Sequence, residues 1–191
     1  HLQRRRQRQM CIRDRHSALL YSASDISVWK TEKIEEHPFL QRLGPDILNP
    51  NLSWREVAER LKSKAFAGRA LNSVYLDQAF LAGLGNYLRS EILFVAGIHP
   101  ARKARELSKG EIGKLARITL DISQRSYASQ GVTIPNQEYQ ALKKKGVSYG
   151  KARFFVFSRA NQPCRVCKTK IQRSTANSRR IYTCAICQPH D

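Results

Sequence analysis

Hydrophobic positions recur at helical spacing through the middle of the chain. Ser53 and Glu56 form an S-x-x-E capping box, and Trp54, Val57, Ala58 and Leu61 then repeat on one face, so a helix is expected to begin at Ser53. A second helical stretch is expected over Val74 to Phe80. The glycine turn Gly83-Leu84-Gly85 follows. Asn86 opens a third helix with Leu88, Ile92, Leu93 and Val95 on its buried side, and Gly97 and Pro100 stop it. Ser108 and Glu111 make a second capping box ahead of Ile112, Leu115, Ala116, Thr119 and Ile122, and Gly131 ends that helix. Residues 53–131 therefore read as one all-α unit.

The flanks lack this period. Residues 132–157 carry Gly, Pro, Asn, Ser and the triplet Lys143 to Lys145, which predicts a mobile loop with a short ordered lead-in at Phe154 to Phe157. Leu19 to Trp29 holds β-formers broken by Ser and Asp. The span 19–36 is expected to contain the last strands of a sheet that begins elsewhere. Residues 37–52, with Pro38, Gly44, Pro45 and Pro50, read as a linker. Residues 1–18 show neither period nor turn chemistry. They read as a disordered basic arm or, preferably, as a leader foreign to the fold.

Charge adds a direction. In 191 residues there are 34 Lys and Arg against 15 Asp and Glu, a formal charge of +19. From Tyr139 to His190 there are 12 Lys and Arg and no acid, a segment that repels itself unless it faces a polyanion. A solvated basic surface is the plain alternative; the other features favour nucleic acid. Hydrophobic residues make up 41% of the chain, enough for a core. The longest apolar runs fall far short of the ~20 residues of a membrane helix, so no membrane partner is expected. No secretory signal is visible, which points to an intracellular, cytoplasmic setting with reduced thiols.

The strongest motif is C-x2-C-x16-C-x2-C, formed by Cys164, Cys167, Cys184 and Cys187 within residues 158–191; Cys11 stands apart. Two such knuckles can close a four-sulfur shell around one structural Zn2+ with no open position for a reactive water. Disulfides would need an oxidising compartment, and a redox pair would sit near a βαβ pattern that is absent. The spacer suits a β-hairpin: Lys168 to Arg173 outward, Ser174 to Ser178 as the turn, Arg179 to Thr183 back. It carries Lys168, Lys170, Arg173, Arg179 and Arg180, which suits phosphate contact, although such modules also dock proteins. At the glycine turn, Asn86 is a helix cap or, with the amides behind it, a phosphate site.

Taken together, Leu76-Asp77-Gln78-Ala79-Phe80-Leu81-Ala82-Gly83-Leu84-Gly85-Asn86-Tyr87-Leu88-Arg89-Ser90-Glu91-Ile92-Leu93, the ending Ala96-Gly97-Ile98-His99-Pro100 and the four-cysteine module resemble the formamidopyrimidine-DNA glycosylase and endonuclease VIII family. Leu20 to Ile26 and His37 to Asp46 resemble its endonuclease VIII branch. The likeness covers about Leu19 to Gln188. It implies a mainly α fold: a helix–two-turn–helix domain, then a four-cysteine zinc-finger hairpin, with a remnant of an N-terminal β-sandwich at the start. It also implies a monomeric base-excision repair protein that binds damaged double-stranded DNA, removes oxidised pyrimidines and nicks the strand by β,δ-elimination. By position, Asn86 matches the family's phosphate-binding Asn. Arg179 matches the finger Arg that grips the backbone and donates a proton in δ-elimination, and Arg42 matches a DNA-contacting Arg of the branch. Family members begin with Pro-Glu, whose amine is the nucleophile, and use a Lys of the sandwich. This chain begins His1-Leu2-Gln3, so it reads as the C-terminal half, binding DNA with little or no glycosylase activity. The competing expectation is a non-enzymatic zinc-ribbon protein held to nucleic acid by phosphates alone, with salt-sensitive, lesion-blind binding.

Overall fold

The structure, a computed structural model, describes residues 9–13, 16–20 and 27–190, the first two stretches by their backbone. It divides into two units, His1–Gln41 and Arg42–Asp191. In the first, β1 (Gln9–Arg13) pairs antiparallel with β2 (His16–Leu20), Gln9 opposite Leu20 and Arg13 opposite His16. A 3-10 turn follows at Thr31–Glu36. Two expectations are corrected here. The strands fall mostly inside residues 1–18, which the sequence set aside as a leader. Of residues 19–36, only Leu19 and Leu20 lie in a strand among the described residues. The run Thr-Glu-Lys-Ile-Glu-Glu has no apolar alternation to offer a sheet, and it coils instead. Most of the expected strand at Leu19 to Trp29 lies outside the described residues, as does much of the leader, and a β-sandwich remnant is not borne out.

The second unit contains α1 (Trp54–Lys62), α2 (Leu71–Val74), α3 (Asn86–Ala96), α4 (Lys109–Ala128), α5 (Asn136–Lys144) and α6 (Tyr149–Ala152). The hairpin β3 (Gln172–Ala176) and β4 (Arg179–Thr183) follows. Both expected capping boxes form. The Glu56 amide donates to Ser53 Oγ at 3.3 Å and the Ser53 amide to Glu56 Oε2 at 2.8 Å. Ser108 and Glu111 repeat the exchange at 3.2 and 2.7 Å. These bonds satisfy donors that a helix start leaves orphaned. The core gathers Val57, Leu61, Leu71, Val74, Phe80, Leu81, Ile92, Leu93, Leu115 and Ile122. Inside it the Tyr75 hydroxyl meets Thr119 Oγ1 at 2.7 Å.

Three segments differ from the sequence reading. The helix expected over Val74 to Phe80 is the single turn α2 further upstream. Asp77 then turns the chain away, its Oδ1 accepting from the Ala79 amide at 2.9 Å, a local bond that competes with helix. The span expected as a loop over 132–157 contains α5 and α6. Neither showed a period because α5 buries no residue and α6 is one turn long. The span 37–52 is not a free linker beyond its start. Gly44 and Ile47 donate to Gln78 O and Ala82 O at 2.9 and 3.0 Å, and Ala82 donates to Pro45 O at 2.9 Å. Ile47 and Leu52 enter the core.

Gly44 is demanded by close approach. A Cβ there would stand 2.5 Å from Ala79 O and 2.6 Å from Phe80 O. Arg60 already pins those carbonyls at 2.6 and 2.8 Å, so they cannot retreat cheaply. Gly44→Ala is expected to cost about 2 kcal/mol, within the range for overpacking. A lower urea midpoint at unchanged slope checks it; an unchanged midpoint refutes it.

Candidate nucleic-acid interface and metal centre

The zinc-finger-like hairpin is tighter than the sequence suggested. Its turn is only Asn177-Ser178, both with positive φ (52° and 58°), as a two-residue turn matched to strand twist requires. The outgoing strand starts at Gln172, not at Lys168. Lys168 itself has φ 68° and belongs to the first cysteine knuckle. Register pairs Ala176 with Arg179 and Gln172 with Thr183.

The four cysteine sulfurs lie within 4.8 Å of one another. Cys164 Sγ is 3.9 Å from Cys187 Sγ, and Cys167 Sγ is 3.3 Å from Cys184 Sγ. Those separations are too long for disulfides. They suit a tetrahedron of thiolates, whose edge is about 3.8 Å for metal–sulfur bonds near 2.3 Å. Hydrogen bonds from Thr169 hold the Cys167 thiol down at about 6. Burial pushes the Cys184 and Cys187 thiols up, and a bound cation would draw these two into the thiolate form. The residues present can therefore hold a tetrahedral metal ion.

The hairpin is fastened to α3 at both ends. At the start of the helix, Asn86 Nδ2 donates to Arg180 O at 3.0 Å. Asn86 Oδ1 accepts from Arg89 Nη2 at 2.6 Å, and Arg89 also donates to Arg180 O and Asn72 O at 3.1 Å each. At the far end, Gln188 is buried, accepts from the Cys184 amide at 3.1 Å and donates to Ile98 O at 2.9 Å. Between them Phe94 joins Val156, Cys164, Ile171, Tyr182 and Cys184 in a second apolar cluster. Asn177 at the hairpin tip donates to Ser73 Oγ at 2.7 Å.

This arrangement brings Asn86 and the Arg179 strand to one place. Arg179 is exposed at the start of β4 and lines an open hollow with Arg69, Ser73, Leu76, Asp77 and Asn177. Arg69 is tied to Asp77 at 2.7 Å. Arg89 lies beneath, fully buried. Desolvation, and then the like charge of Arg179, push its guanidinium down to about 10. Guanidinium groups beside a helix start form a place where an anion would relieve repulsion. Arg42 is exposed at the end of the short 3-10 turn Leu40–Arg42, and the geometry adds nothing further to its assignment.

Sequence reasoning missed Arg89, Glu91, Asn177 and Gln188. Arg89 follows Asn86 by three residues, the spacing that puts both on one helix face, and that was a usable signal. Glu91 is fully buried on α3. Its carboxylate accepts from the amides of Phe155, Val156 and Phe157 at 2.8, 2.9 and 2.9 Å and from the Thr133 hydroxyl. Burial pushes its carboxyl up, and these four donors pull it back. The lead-in at Phe154 to Phe157 is thereby held in place.

Comparison with known proteins agrees with this geometry. A family model described as the formamidopyrimidine-DNA glycosylase H2TH domain matches residues 43–138. Endonuclease 8 of Shigella sonnei is 46% identical over 170 residues, which are 89% of this chain; the chain spans 61% of that relative's length. The crystal structure of the MutM (Fpg) protein of Thermus thermophilus superposes with a TM-score of 0.67 at 26% identity, over 93% of this chain and 63% of that one. Lactococcus lactis Fpg, solved in complex with DNA containing an abasic site, has a TM-score of 0.67 at 23% identity, over 84% of this chain and 56% of its own. Among the described residues, no helix is long and apolar enough to cross a membrane. The chain belongs to the formamidopyrimidine-DNA glycosylase and endonuclease VIII family, in its endonuclease VIII branch.

Proposed function

We propose that these residues are the DNA-gripping part of an endonuclease VIII-type base-excision repair protein, a DNA glycosylase and abasic-site lyase for oxidised pyrimidines. In this reading the protein is a monomer in the bacterial cytoplasm, associated with the nucleoid. It holds damaged duplex DNA against the surface that the two-turn segment before α3 and the β3–β4 hairpin form together. One Zn2+ on Cys164, Cys167, Cys184 and Cys187 keeps the hairpin rigid. It supplies no Lewis acid to the substrate, because four thiolates leave no open coordination position. Asn86 and the first amides of α3 bind phosphates beside the lesion. Arg179 grips the strand and donates the proton that accompanies δ-elimination. Arg42 contacts the backbone from the segment before α1. The chain supplies grip, while the Pro-Glu nucleophile pair of the family occurs nowhere in its sequence.

The observation that carries this reading is the bond from Asn86 Nδ2 to Arg180 O, which makes the turn and the finger one surface. It also implies an exchange: Asn86 must release that carbonyl, or share it, to reach a phosphate. Arg179→Ala tests the reading. The substitution should weaken binding to an abasic-site duplex about tenfold, the loss of one charge-assisted phosphate contact. It should leave bound zinc at one per chain. Zinc lost together with affinity would make Arg179 a structural residue and sink the assignment. Asn86→Ala should lower DNA affinity by more than it lowers stability; equal losses would mean that Asn86 only fastens the hairpin.

A further inference from the structure

A second surface lies apart from the turn and the finger. Trp54, Ala58, Ile112 and Gly113 floor a slot of about 280 Å³ where α1 crosses α4, and Arg55, Glu59, Lys62 and Lys109 rim it. None of these residues lines the Arg179 hollow. Ala58 and Ile112 are buried and Trp54 is half-buried. The Arg117 guanidinium lies 3.8 Å from the centroid of the Trp54 ring, with Arg55 at 4.9 Å. Glu59, the one acid of the rim, is bound to Lys62 at 2.5 Å. Among the described residues Arg55, Lys109 and Arg117 have no carboxylate partner within ion-pair distance.

Gly113 is the second observation. It stands in the interior of the 20-residue α4, where alanine is the better helix former. Packing does not demand glycine there. A Cβ would meet Arg117 Nη1 at 3.4 Å and Trp54 Cζ3 at 3.8 Å, ordinary contacts, and its φ is not positive. What the missing methyl leaves is space in the floor of the slot.

We propose that this slot is a docking site for an acidic, extended segment of a partner protein that inserts one bulky apolar side chain. The floor offers apolar area to that side chain, and the unpaired cations of the rim offer charge complementary to flanking Asp and Glu. The volume is near the lower limit of ligand pockets, roughly 300 Å³, and suits one or two side chains rather than a nucleotide. Stacking of a nucleobase is disfavoured because Arg117 already covers the Trp54 ring.

The test uses the full zinc-loaded chain and three fluorescent probes: an Asp/Glu-rich peptide with one Phe, the same peptide with Ala for Phe, and oligothymidylate. The Phe peptide should bind saturably, at least tenfold more tightly than the Ala peptide, and its affinity should fall with salt. Gly113→Ala, which fills the floor, and Lys109→Glu, which reverses a rim charge, should each weaken it at least tenfold. Both variants should keep zinc and abasic-duplex affinity, which shows that they are folded. Equal binding of the two peptides would reduce the surface to plain charge. Displacement of the Phe peptide by oligothymidylate would make it a nucleic-acid surface. Either result, or Gly113→Ala binding unimpaired, overturns the proposal.

Discussion

Stripping the metal from the cysteine cluster should abolish tight DNA binding while the helices stay folded. Without it the hairpin keeps only the bonds of Asn86, Arg89, Asn177 and Gln188 and one small apolar cluster. β3 is exposed along nearly its whole length, and the cluster behind it consists of Phe94, Val156, Ile171, Tyr182 and two of the cysteines themselves. Structural zinc contributes about 10–16 kcal/mol of apparent free energy in small modules, far above what these contacts supply. The helical core is a separate cluster, so α1, α3 and α4 should survive. Chelation therefore predicts nearly constant helical circular dichroism, loss of hairpin amide protection and loss of the finger's phosphate contacts. Each lost contact should reduce the slope of log affinity against log salt by about 0.9. Cys164→Ala should give the same result without a chelator. Retained affinity after the metal is gone would show that the hairpin folds on packing alone.

Removing the buried carboxylate of Glu91 should have the largest effect on stability of any single change in α3. Three consecutive amides and the Thr133 hydroxyl end on this one fully buried side chain. Glu91→Gln keeps the shape but turns an NH2 donor toward backbone donors. Leaving buried donors unsatisfied costs about 1–3 kcal/mol each, so a loss of roughly 3 kcal/mol or more is expected. The damage should spread to the finger, because Phe155 to Phe157 lead into it and Phe157 packs 5.1 Å from Tyr182 in β4. The prediction is a lower melting temperature together with weaker zinc retention. A variant with native stability would mean that the amides find other partners.

The legibility of this protein in its sequence depended on the range of the interactions. Local chemistry was readable: both capping boxes, the end of α3 at Gly97 in the left-handed region, and the cysteine spacing that gathers four sulfurs. Interactions across the chain were not. Asn86 to Arg180 spans 94 residues and Glu91 to Val156 spans 65, and no period marks either. Two charged residues buried in an apolar helix, Arg89 and Glu91, were the available clue, since such groups are buried only when paired. Short elements escaped for a physical reason as well. α5 is exposed and basic at its end, held by a Glu138–Arg165 ion pair at 3.2 Å rather than by a buried stripe. Most of the N-terminal expectation at 19–29 lies outside the described residues; there β-forming residues were read without a partner strand, and a strand is defined by its partner.

The most direct test of the DNA-gripping account is equilibrium binding of the zinc-loaded chain to two duplexes at one fixed salt concentration. One duplex contains a stable abasic-site analogue and the other is undamaged. The account predicts clear preference for the abasic duplex, because Asn86 and the hairpin meet at a single place and are proposed to bind the phosphates beside the lesion. Equal affinities, falling together as salt rises, would contradict it and leave only a basic clamp that does not recognise damage.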